Sequence, residues 1–184
     1  VDVPVIGVGR INDPILADSL LKEGKADLIA MGRALFADPE LPNKARRGAF
    51  EDINPCIACN RCEMATSDNI HVRCAVNPRL GNENKYNLSK VNEPKNIIVI
   101  GGGPAGMTAA SQSALRGHKV TLYEMQERLG GQLLLATKPP HKEEIEGLIT
   151  YLEKQVRKSG VKAILGEKFT PEKITDKKID VINM

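Results

Sequence analysis

The four cysteines are the feature that most limits how this chain can fold, because all of them lie within nineteen consecutive positions. Their spacing is C-x2-C-x2-C-x11-C, formed by Cys56, Cys59, Cys62 and Cys74. A close triad with a more distant fourth thiolate is typical of sites in which four cysteines hold an iron–sulfur cluster. The spacing therefore predicts a [4Fe-4S] site with these four residues as its ligands.

Other interpretations of the cysteines remain open at this point. A structural zinc site would more often show two separated C-x2-C pairs, and this chain has one close triad. Two disulfides would require an oxidising compartment, and no signal-peptide pattern opens the sequence. Zinc, disulfides and free thiols are thus the alternatives to a cluster, and we expect a reducing, cytoplasmic location.

The composition argues against nucleic-acid and membrane partners. Aromatic residues make up 3% of the 184 residues, too few for base-stacking surfaces. The net charge is only +3, and it lies in residues 94–184, which carry 14 basic and 10 acidic side chains. This balance indicates a solvated, lysine-rich surface. No apolar run approaches the length that spans a bilayer.

Residues 1–50 have the pattern of two consecutive strand–helix units. Residues 5–8 and 27–33 are short apolar runs that fit buried parallel strands. Each is followed by a helix-capping residue and a proline, at Asp13-Pro14 and at Asp38-Pro39. Two strands buried on both faces cannot complete a sheet, so we expect the chain to begin in the middle of a larger α/β domain.

Both of these strands end in the dipeptide Gly-Arg, at Gly9-Arg10 and at Gly32-Arg33. Glycine lets a ligand approach the backbone, and arginine can donate two parallel hydrogen bonds to a phosphate. Phosphate sites after the seventh and eighth strands recur in TIM barrels. The alternative is that the glycines serve tight turns and the arginines are surface charges, and the residues alone do not separate the two.

Residues 51–93 hold the cysteines and many turn-forming residues, with little hydrophobic periodicity. Such a segment buries too little apolar surface to order itself. We expect a bound metal cluster to order it. Arg61 and Arg73 flank the thiolates and are expected to be solvated.

A dinucleotide-binding pattern begins after the linker at residues 92–95. The apolar strand at residues 96–100 runs into G-x-G-x-x-G, and a helix, a further strand and Glu124 follow. Gly101 permits the tight turn, Gly103 lets the backbone approach a pyrophosphate, and Gly106 lets helix and strand pack closely. Glu124 lies where an acidic side chain accepts hydrogen bonds from a ribose. The order of elements predicts a bound dinucleotide, and a glycine-rich turn without a ligand is the alternative.

The remaining pattern is a long amphipathic helix over residues 142–158 and strands over residues 161–165 and 179–182. The second half of a nucleotide-binding domain is not present in the sequence. We therefore expect a chain that is truncated at both ends.

Together these motifs resemble the iron–sulfur flavoproteins related to 2,4-dienoyl-CoA reductase, trimethylamine dehydrogenase and 2-enoate reductase. The resemblance covers essentially the whole chain. It implies an α/β fold in three parts. Residues 1–50 would be the last two βα units of an FMN-binding TIM barrel like that of old yellow enzyme. Residues 51–93 would be the [4Fe-4S] segment and linker, and residues 94–184 the first part of a Rossmann-like, FAD-binding domain.

The resemblance also implies roles for individual residues. Gly9, Arg10, Gly32 and Arg33 would hold the FMN phosphate. A second nucleotide, FAD or ADP, would be contacted by Gly101, Gly103, Gly106, Glu124 and Gln132. No catalytic acid or base can be assigned, and His71, His118 and His141 are expected to be ordinary surface or packing residues.

The implied activity is an NAD(P)H-dependent oxidoreductase in which electrons pass from NAD(P)H through FAD and the cluster to FMN and an activated C=C bond. One alternative is an amine dehydrogenase that passes electrons outward to a carrier, and another is a non-catalytic module that binds the cluster and a nucleotide. The expected partners are a small-molecule substrate and the remainder of the parent polypeptide, with self-association of this chain. By itself the chain is expected to be inactive.

Overall fold

The computed structural model describes residues 2–68, 70–86, 88–174 and 179–183. The chain divides into two compact units, Val1–Tyr86 and Asn87–Met184. The α/β class that the sequence predicts is confirmed, because both units contain parallel strands joined through helices.

The first unit opens with a strand–helix–strand arrangement. Strand β1 (Ile6–Val8) pairs in parallel with β2 (Leu28–Ala30), and helix α1 (Pro14–Lys22) connects them. Asp13 caps α1, since its Oδ1 accepts a hydrogen bond from the Ile15 amide at 2.8 Å. The Asp-Pro signal in the sequence therefore begins a helix where it was expected.

The two strands are parallel as predicted, but within this chain they are not buried. Ile6 is 58% exposed, Leu28 is 55% exposed and Val8 is 75% exposed. The reason is geometric: a sheet of two short strands with one connecting helix does not cover both of its faces.

Three further helices complete the first unit. They are α2 (Arg33–Ala37), α3 (Leu41–Arg46) and α4 (Arg61–Ser67), with a 3-10 turn at Phe50–Asp52 between α3 and α4. The sequence predicts α3 but gives no signal for α2, and it treats the cysteine segment as irregular. The helix α4 inside that segment is only two turns long, so it is too short to show a periodic pattern. It carries Cys62 in its first turn.

The second unit is built on a parallel sheet. Its strands β3 (Asn96–Ile100), β4 (Lys119–Tyr123), β5 (Lys162–Ile164) and β6 (Val181–Asn183) lie in the order β5-β4-β3-β6. Ile98 is in register with Thr121 and with Ile182, and Leu122 is in register with Ala163. All four strands fall within or beside the apolar runs that predict them.

Helix α5 (Pro104–Leu115) packs against β3 and β4, and helix α7 (Glu143–Lys158) packs against α5. The short helix α6 (Leu133–Ala136) lies between them in the chain and contacts α7. The core of the unit is closely packed, with no more than 2% exposure for Val99, Met107, Ala110, Leu122 and Val156. The amphipathic pattern over residues 142–158 is confirmed, because the apolar face of α7 is buried at Leu148, Ile149, Leu152 and Val156. No helix in the described ranges is long and apolar enough to cross a membrane.

Candidate cofactor sites

One small cavity in the first unit brings the four cysteines together. Its lining includes Cys56, Cys59, Cys62 and Cys74, with Arg33, Ile57, Asn60, Arg61, Ala75 and Val76 beside them. All four thiols are free, so the disulfide interpretation is not supported. The distant fourth cysteine and the close triad thus face the same space, as a four-thiolate site requires.

The backbone of the cysteine loop adopts an uncommon conformation. Ala58 has φ of 50° and Asn60 has φ of 55°, both in the left-handed region that residues other than glycine seldom occupy. These two residues flank Cys59, so the backbone has a left-handed residue on each side of the central cysteine.

The cavity of the cysteines is lined by four thiols and by no His, Asp or Glu side chain among the described residues. No group of three or more His, Cys, Asp or Glu side chains in the described ranges is arranged to hold one ion. A tetrahedral zinc site with Zn–S bonds of about 2.3 Å would need sulfurs within about 3.8 Å of one another. A four-iron cluster takes each thiolate on a different iron, so its ligands are spaced more widely than those of a single ion, and four thiols are the donor set that it takes.

The pKa of the Cys74 thiol is raised. Burial is the main cause, because it disfavours the thiolate, and the nearby Cys56 and Cys59 raise the pKa further. Hydrogen bonds from the backbone amides of Val76 and Asn77 to the sulfur act in the opposite direction. Amide donors to a cysteine sulfur are among the means by which proteins tune iron–sulfur clusters.

Three asparagines tie the cysteine segment to the first fifty residues. Asn54 donates from Nδ2 to the carbonyls of Ala37 at 3.1 Å and Val76 at 2.8 Å. Asn77 donates to the Phe36 carbonyl at 2.9 Å, and Asn12 donates to the Cys56 carbonyl at 3.4 Å. The sequence did not predict this tethering role for any of the three. Their amides supply polar cross-links where the segment has little apolar surface to bury.

A second cavity in the same unit, of about 370 Å³, adjoins the cysteines. The four residues of both Gly-Arg dipeptides line it, together with Cys56, Ala58 and Cys62. Its volume falls in the range of roughly 300–1,000 Å³ that is usual for small-molecule and cofactor sites. The parallel pairing of β1 and β2 places both dipeptides at one edge of the sheet. The residues predicted to hold a phosphate are therefore brought together, beside two of the cysteines.

Arg33 reaches from this second cavity to the cysteine loop. It is the first residue of α2, and its Nη1 donates a hydrogen bond to the Asn60 side-chain oxygen. Arg33 lines both cavities. Arg10, at the other dipeptide, has φ of 53° directly after Gly9 with φ of 123°. Two consecutive left-handed residues make a tight turn at the end of β1.

In the second unit, the glycine loop connects β3 to α5 by a tight turn. Gly101 has φ of 100°, and its amide donates to the Tyr123 carbonyl at 2.8 Å. Gly103 is the N-cap of α5, and a Cβ added there would meet no atom within 4 Å. The first turn of the helix has no acidic side chain. Open space above a helix N-terminus is the cradle that a pyrophosphate needs.

Close packing constrains the other two glycines of the loop. A Cβ on Gly106 would lie 1.9 Å from the Gly101 carbonyl oxygen, which fits the role in packing helix against strand that was predicted for it. A Cβ on Gly102 would lie 2.5 Å from Leu129 Cδ2. Gly102 occupies a variable position of G-x-G-x-x-G, so the motif gives no sign that this position also requires glycine.

Glu124 is buried at the end of β4, 7% exposed, and its carboxylate holds the glycine loop. One oxygen accepts from the Gly102 amide at 2.6 Å and the other from the Gln126 amide at 2.8 Å. A carboxylate has about four acceptor positions, so two such bonds leave capacity for a ribose hydroxyl. The residue is placed as the fingerprint predicts, with an additional structural role that the sequence did not suggest.

The segment before α6 folds back onto the glycine loop. The Gly130 amide donates to the Gly102 carbonyl at 2.8 Å, and a Cβ on Gly131 would lie 3.1 Å from the Gly103 Cα. Gln132 follows as the exposed N-cap residue of α6. These residues therefore continue the surface that the glycine loop begins.

The histidines are structural or exposed. His71 Nε2 lies 2.7 Å from the Gly81 carbonyl oxygen, and His118 Nδ1 accepts from the Lys95 amide at 3.1 Å. His141 is exposed. None of the three lines the two cavities described above, although His71 and Cys74 line a further one.

Each of the two units contains a segment that matches a known family. Residues 1–52 match the NADH:flavin oxidoreductase / NADH oxidase family, and residues 99–151 match the NAD(P)-binding Rossmann-like domain.

Curated relatives match almost the whole chain. It is 47% identical over 175 residues, 95% of its length, to a metal reductase of Desulforamulus reducens. It is 40% identical over 177 residues, 96% of its length, to a cinnamate reductase of Clostridium sporogenes. The chain spans about a quarter of the length of these relatives, 26% and 27% respectively.

Solved structures agree with the same assignment. A 2-naphthoyl-CoA reductase in complex with 2-naphthoyl-CoA superimposes with a TM-score of 0.93 and 35% identity, over 98% of this chain and 28% of that one. Histamine dehydrogenase from Rhizobium sp. 4-9 superimposes with a TM-score of 0.87 and 30% identity, over 93% and 26% of the two chains. This chain is thus similar to reductases and also to an amine dehydrogenase.

Proposed function

Since the chain is related to the NADH:flavin oxidoreductases along almost its whole length, we propose that it forms the cluster-holding and nucleotide-holding part of an NAD(P)H-dependent flavin and iron–sulfur oxidoreductase. The active enzyme is a longer polypeptide of the kind represented by the relatives, of which this chain corresponds to about a quarter.

One observation carries this proposal. The four cysteines line one cavity, and the two Gly-Arg dipeptides line a second cavity that shares Arg33, Cys56 and Cys62 with the first. A cluster held by the cysteines and a flavin held by its phosphate at the dipeptides would then share a wall. Neighbouring redox groups exchange electrons efficiently, so this adjacency suits an electron-transferring enzyme.

In the first unit, Cys56, Cys59, Cys62 and Cys74 hold the [4Fe-4S] cluster as thiolates. The amides of Val76 and Asn77 donate to the Cys74 sulfur and offset part of its negative charge. Gly9, Arg10, Gly32 and Arg33 bind the FMN phosphate, with β1 and β2 as the seventh and eighth strands of a TIM barrel.

In the second unit, Gly101, Gly103 and Gly106 shape the backbone that receives a pyrophosphate at the N-terminus of α5. Glu124 accepts from the ribose of the same nucleotide. Gln132 lies at the edge of the site, after the segment that packs on Gly103. The nucleotide is FAD, or ADP in the amine-oxidising alternative below.

When bound, these groups supply hydride chemistry at the flavins and one-electron chemistry at the cluster. Together they would carry electrons from NAD(P)H through FAD and the cluster to FMN and an activated C=C bond. The similarity to a cinnamate reductase and to a 2-naphthoyl-CoA reductase favours this direction. The chain's own residues position the groups. The four free thiols suit a reducing, cytoplasmic location.

The similarity to a histamine dehydrogenase supports a second candidate, in which an amine is oxidised and electrons leave through an external carrier. The nucleotide in the second unit would then be a structural ADP. Analysis of the nucleotide released from the purified full-length protein separates the two: FAD supports the reductase, and ADP supports the dehydrogenase.

Anaerobic reduction of the full-length protein by NAD(P)H tests the proposed function. We expect the flavin absorbance to bleach, a reduced cluster to appear in the electron paramagnetic resonance spectrum, and an enoate to reoxidise both. Cys59→Ala should lose the cluster signal and retain bleaching of only one flavin. Bleaching of both flavins at the parent rate in that variant would show that the cysteines do not connect them.

A further inference from the structure

The side chain of Asn60 is placed unusually for a residue at its position. Asn60 is the N-cap of α4, where an asparagine oxygen ordinarily accepts a hydrogen bond from an amide of the first turn. Here the side chain makes no capping hydrogen bond, and its oxygen accepts from the guanidinium of Arg33. The helix start therefore forgoes its usual cap in favour of a contact 27 residues away in sequence.

The backbone of Asn60 also departs from the usual cap. An N-cap residue has extended backbone angles, whereas Asn60 has φ of 55° and ψ of 15°. Asparagine tolerates this left-handed conformation better than most residues, and such strain persists where the surrounding structure imposes it. The conformation directs the side chain away from the helix and toward Arg33.

Arg33 in turn lies at the boundary between the two cavities, because it lines both of them. Its guanidinium has five N–H donors in a planar fork, and the bond to Asn60 uses one of them. The contact fixes the direction of the fork relative to the cavity of the Gly-Arg dipeptides. Asn60 lies between Cys59 and Cys62, so any movement of the cysteine loop is transmitted to the same guanidinium.

We propose that Asn60 is a positioning residue that couples the two sites: it orients Arg33 for a flavin phosphate when the cysteine loop is ordered by its cluster. This inference rests on the proposed function, since it takes the two cavities as the cluster site and the phosphate site. Coupling of this kind is reciprocal in binding free energy, so a bound flavin phosphate must stabilise the cluster by the same factor by which the cluster strengthens phosphate binding. A more stable cluster is expected to lose iron more slowly.

Three substitutions in the loop separate the hydrogen bond from loop flexibility. Asn60→Gly permits the left-handed backbone and removes the acceptor. Asn60→Asp keeps an oxygen acceptor for the guanidinium. Ala58→Gly relieves the other left-handed position of the same loop, at φ of 50°, and leaves the Arg33 contact intact.

The readout is the rate at which an iron chelator removes iron from the anaerobically reconstituted protein, with and without added FMN. In the parent protein and in Ala58→Gly we expect FMN to slow iron loss about fivefold or more. Asn60→Asp should keep most of this protection, and Asn60→Gly should lose it. The resonance spectrum of the reduced cluster, recorded for each variant, confirms that a cluster was assembled.

Each other outcome has a definite meaning. If FMN protects the cluster of Asn60→Gly as well as that of the parent, the inference is overturned and the proposed function stands. The same holds if Ala58→Gly loses as much protection as Asn60→Gly. A parent protein that assembles a cluster whose stability ignores FMN overturns the coupling as well. A parent protein that assembles no cluster overturns both the inference and the proposed function.

Discussion

The residues around Cys59 give the cysteine loop an uncommon backbone conformation. Ala58 and Asn60 both occupy the left-handed region, at a cost of order 1–3 kcal/mol for each residue that is not glycine. At Asn60 the hydrogen bond from Arg33 offsets part of this cost. Ala58 has no side chain that could compensate, so the conformation of the loop as a whole must be held by its surroundings, including the asparagine bonds to Cys56 and Val76.

Cys74 should be alkylated more slowly than an ordinary exposed cysteine in metal-free protein at neutral pH. Burial and the neighbouring cysteines raise its pKa, so less of it is thiolate. Iodoacetamide labelling followed by peptide mass spectrometry as a function of pH measures this. A midpoint for Cys74 at or below that of an ordinary cysteine would contradict the assigned environment.

The same shift affects stability, and its sign follows from linkage. Folding raises the pKa of Cys74, so the folded chain holds this proton more tightly than the unfolded chain does. Its contribution to the free energy of unfolding is therefore present below the ordinary cysteine pKa and is lost as pH rises through the raised value. Cluster assembly removes the proton, so assembly should be favoured by higher pH.

At the scale of elements, a buried carboxylate joins the helices of the first unit to the cysteine segment. Asp38 is 4% exposed at the junction of α2 and α3. It accepts from the amides of Glu40 at 3.0 Å and Asn54 at 2.8 Å, and it forms an ion pair with Lys44 at 2.5 Å. The sequence suggests Asp38-Pro39 as the start of a helix, but the N-cap of α3 is Glu40 and Asp38 is the C-cap of α2. Its carboxylate instead anchors the segment that carries the cysteines.

Asp38→Ala should destabilise the first unit by about 3 kcal/mol, because it leaves two amides and a partly buried ammonium without their partner. Chemical denaturation followed by circular dichroism measures the change. Asp18→Ala is the matched control, since Asp18 pairs with Lys22 on an exposed helix face and should change stability by less than about 0.5 kcal/mol. Similar small effects for both variants would refute the anchoring role of Asp38.

The packing of α5 against β3 gives a second prediction at this scale. Gly106→Ala should destabilise the second unit by about 2–3 kcal/mol, since the added Cβ would overlap the Gly101 carbonyl oxygen. Gly147→Ala in α7, where a Cβ meets nothing within 4 Å, should instead stabilise by about 0.5–1 kcal/mol. Thermal unfolding of both variants distinguishes them, and a neutral Gly106→Ala would show that the loop lies farther from the helix.

The open space at Gly103 gives a prediction about binding rather than stability. Gly103→Val should abolish binding of FAD and ADP, because the side chain would fill the space above the N-terminus of α5. Isothermal titration calorimetry measures the loss, with Gly147→Val as a control on an exposed helix face. Parent-like affinity in Gly103→Val would show that the pyrophosphate does not lie on this loop.

At the scale of the whole molecule, the sequence predicted structure best where the residue pattern fits one structural role better than others. The glycines of the loop after β3 predicted a strand, a turn and a helix correctly, and the apolar face of α7 was predicted almost to the residue. The cysteine spacing predicted that four thiols would meet, and they line one cavity. Whether they and the Gly-Arg dipeptides bind the proposed cofactors stays a prediction.

What the sequence did not reveal depends on contacts between distant segments. The bond from Arg33 to Asn60 and the three asparagine cross-links have no local signature, because an asparagine in a loop usually serves only its own turn. The short helices α2 and α4 were missed because five and seven residues are too few for a periodic pattern. The strands β1 and β2 have the sequence of buried strands in a larger sheet, so their apolar side chains were expected to be uncovered in this chain, and the exposure of Ile6 and Leu28 confirms it.

The central claim is that the four cysteines hold an iron–sulfur cluster, and the metal and sulfide content of anaerobically purified protein tests it most directly. Elemental analysis with an acid-labile sulfide assay should give about four irons and about four sulfides per chain. Cys59→Ala should lose most of this iron, since three thiolates hold a cluster poorly. Stoichiometric zinc without iron or sulfide, in protein kept anaerobic throughout, would contradict the account.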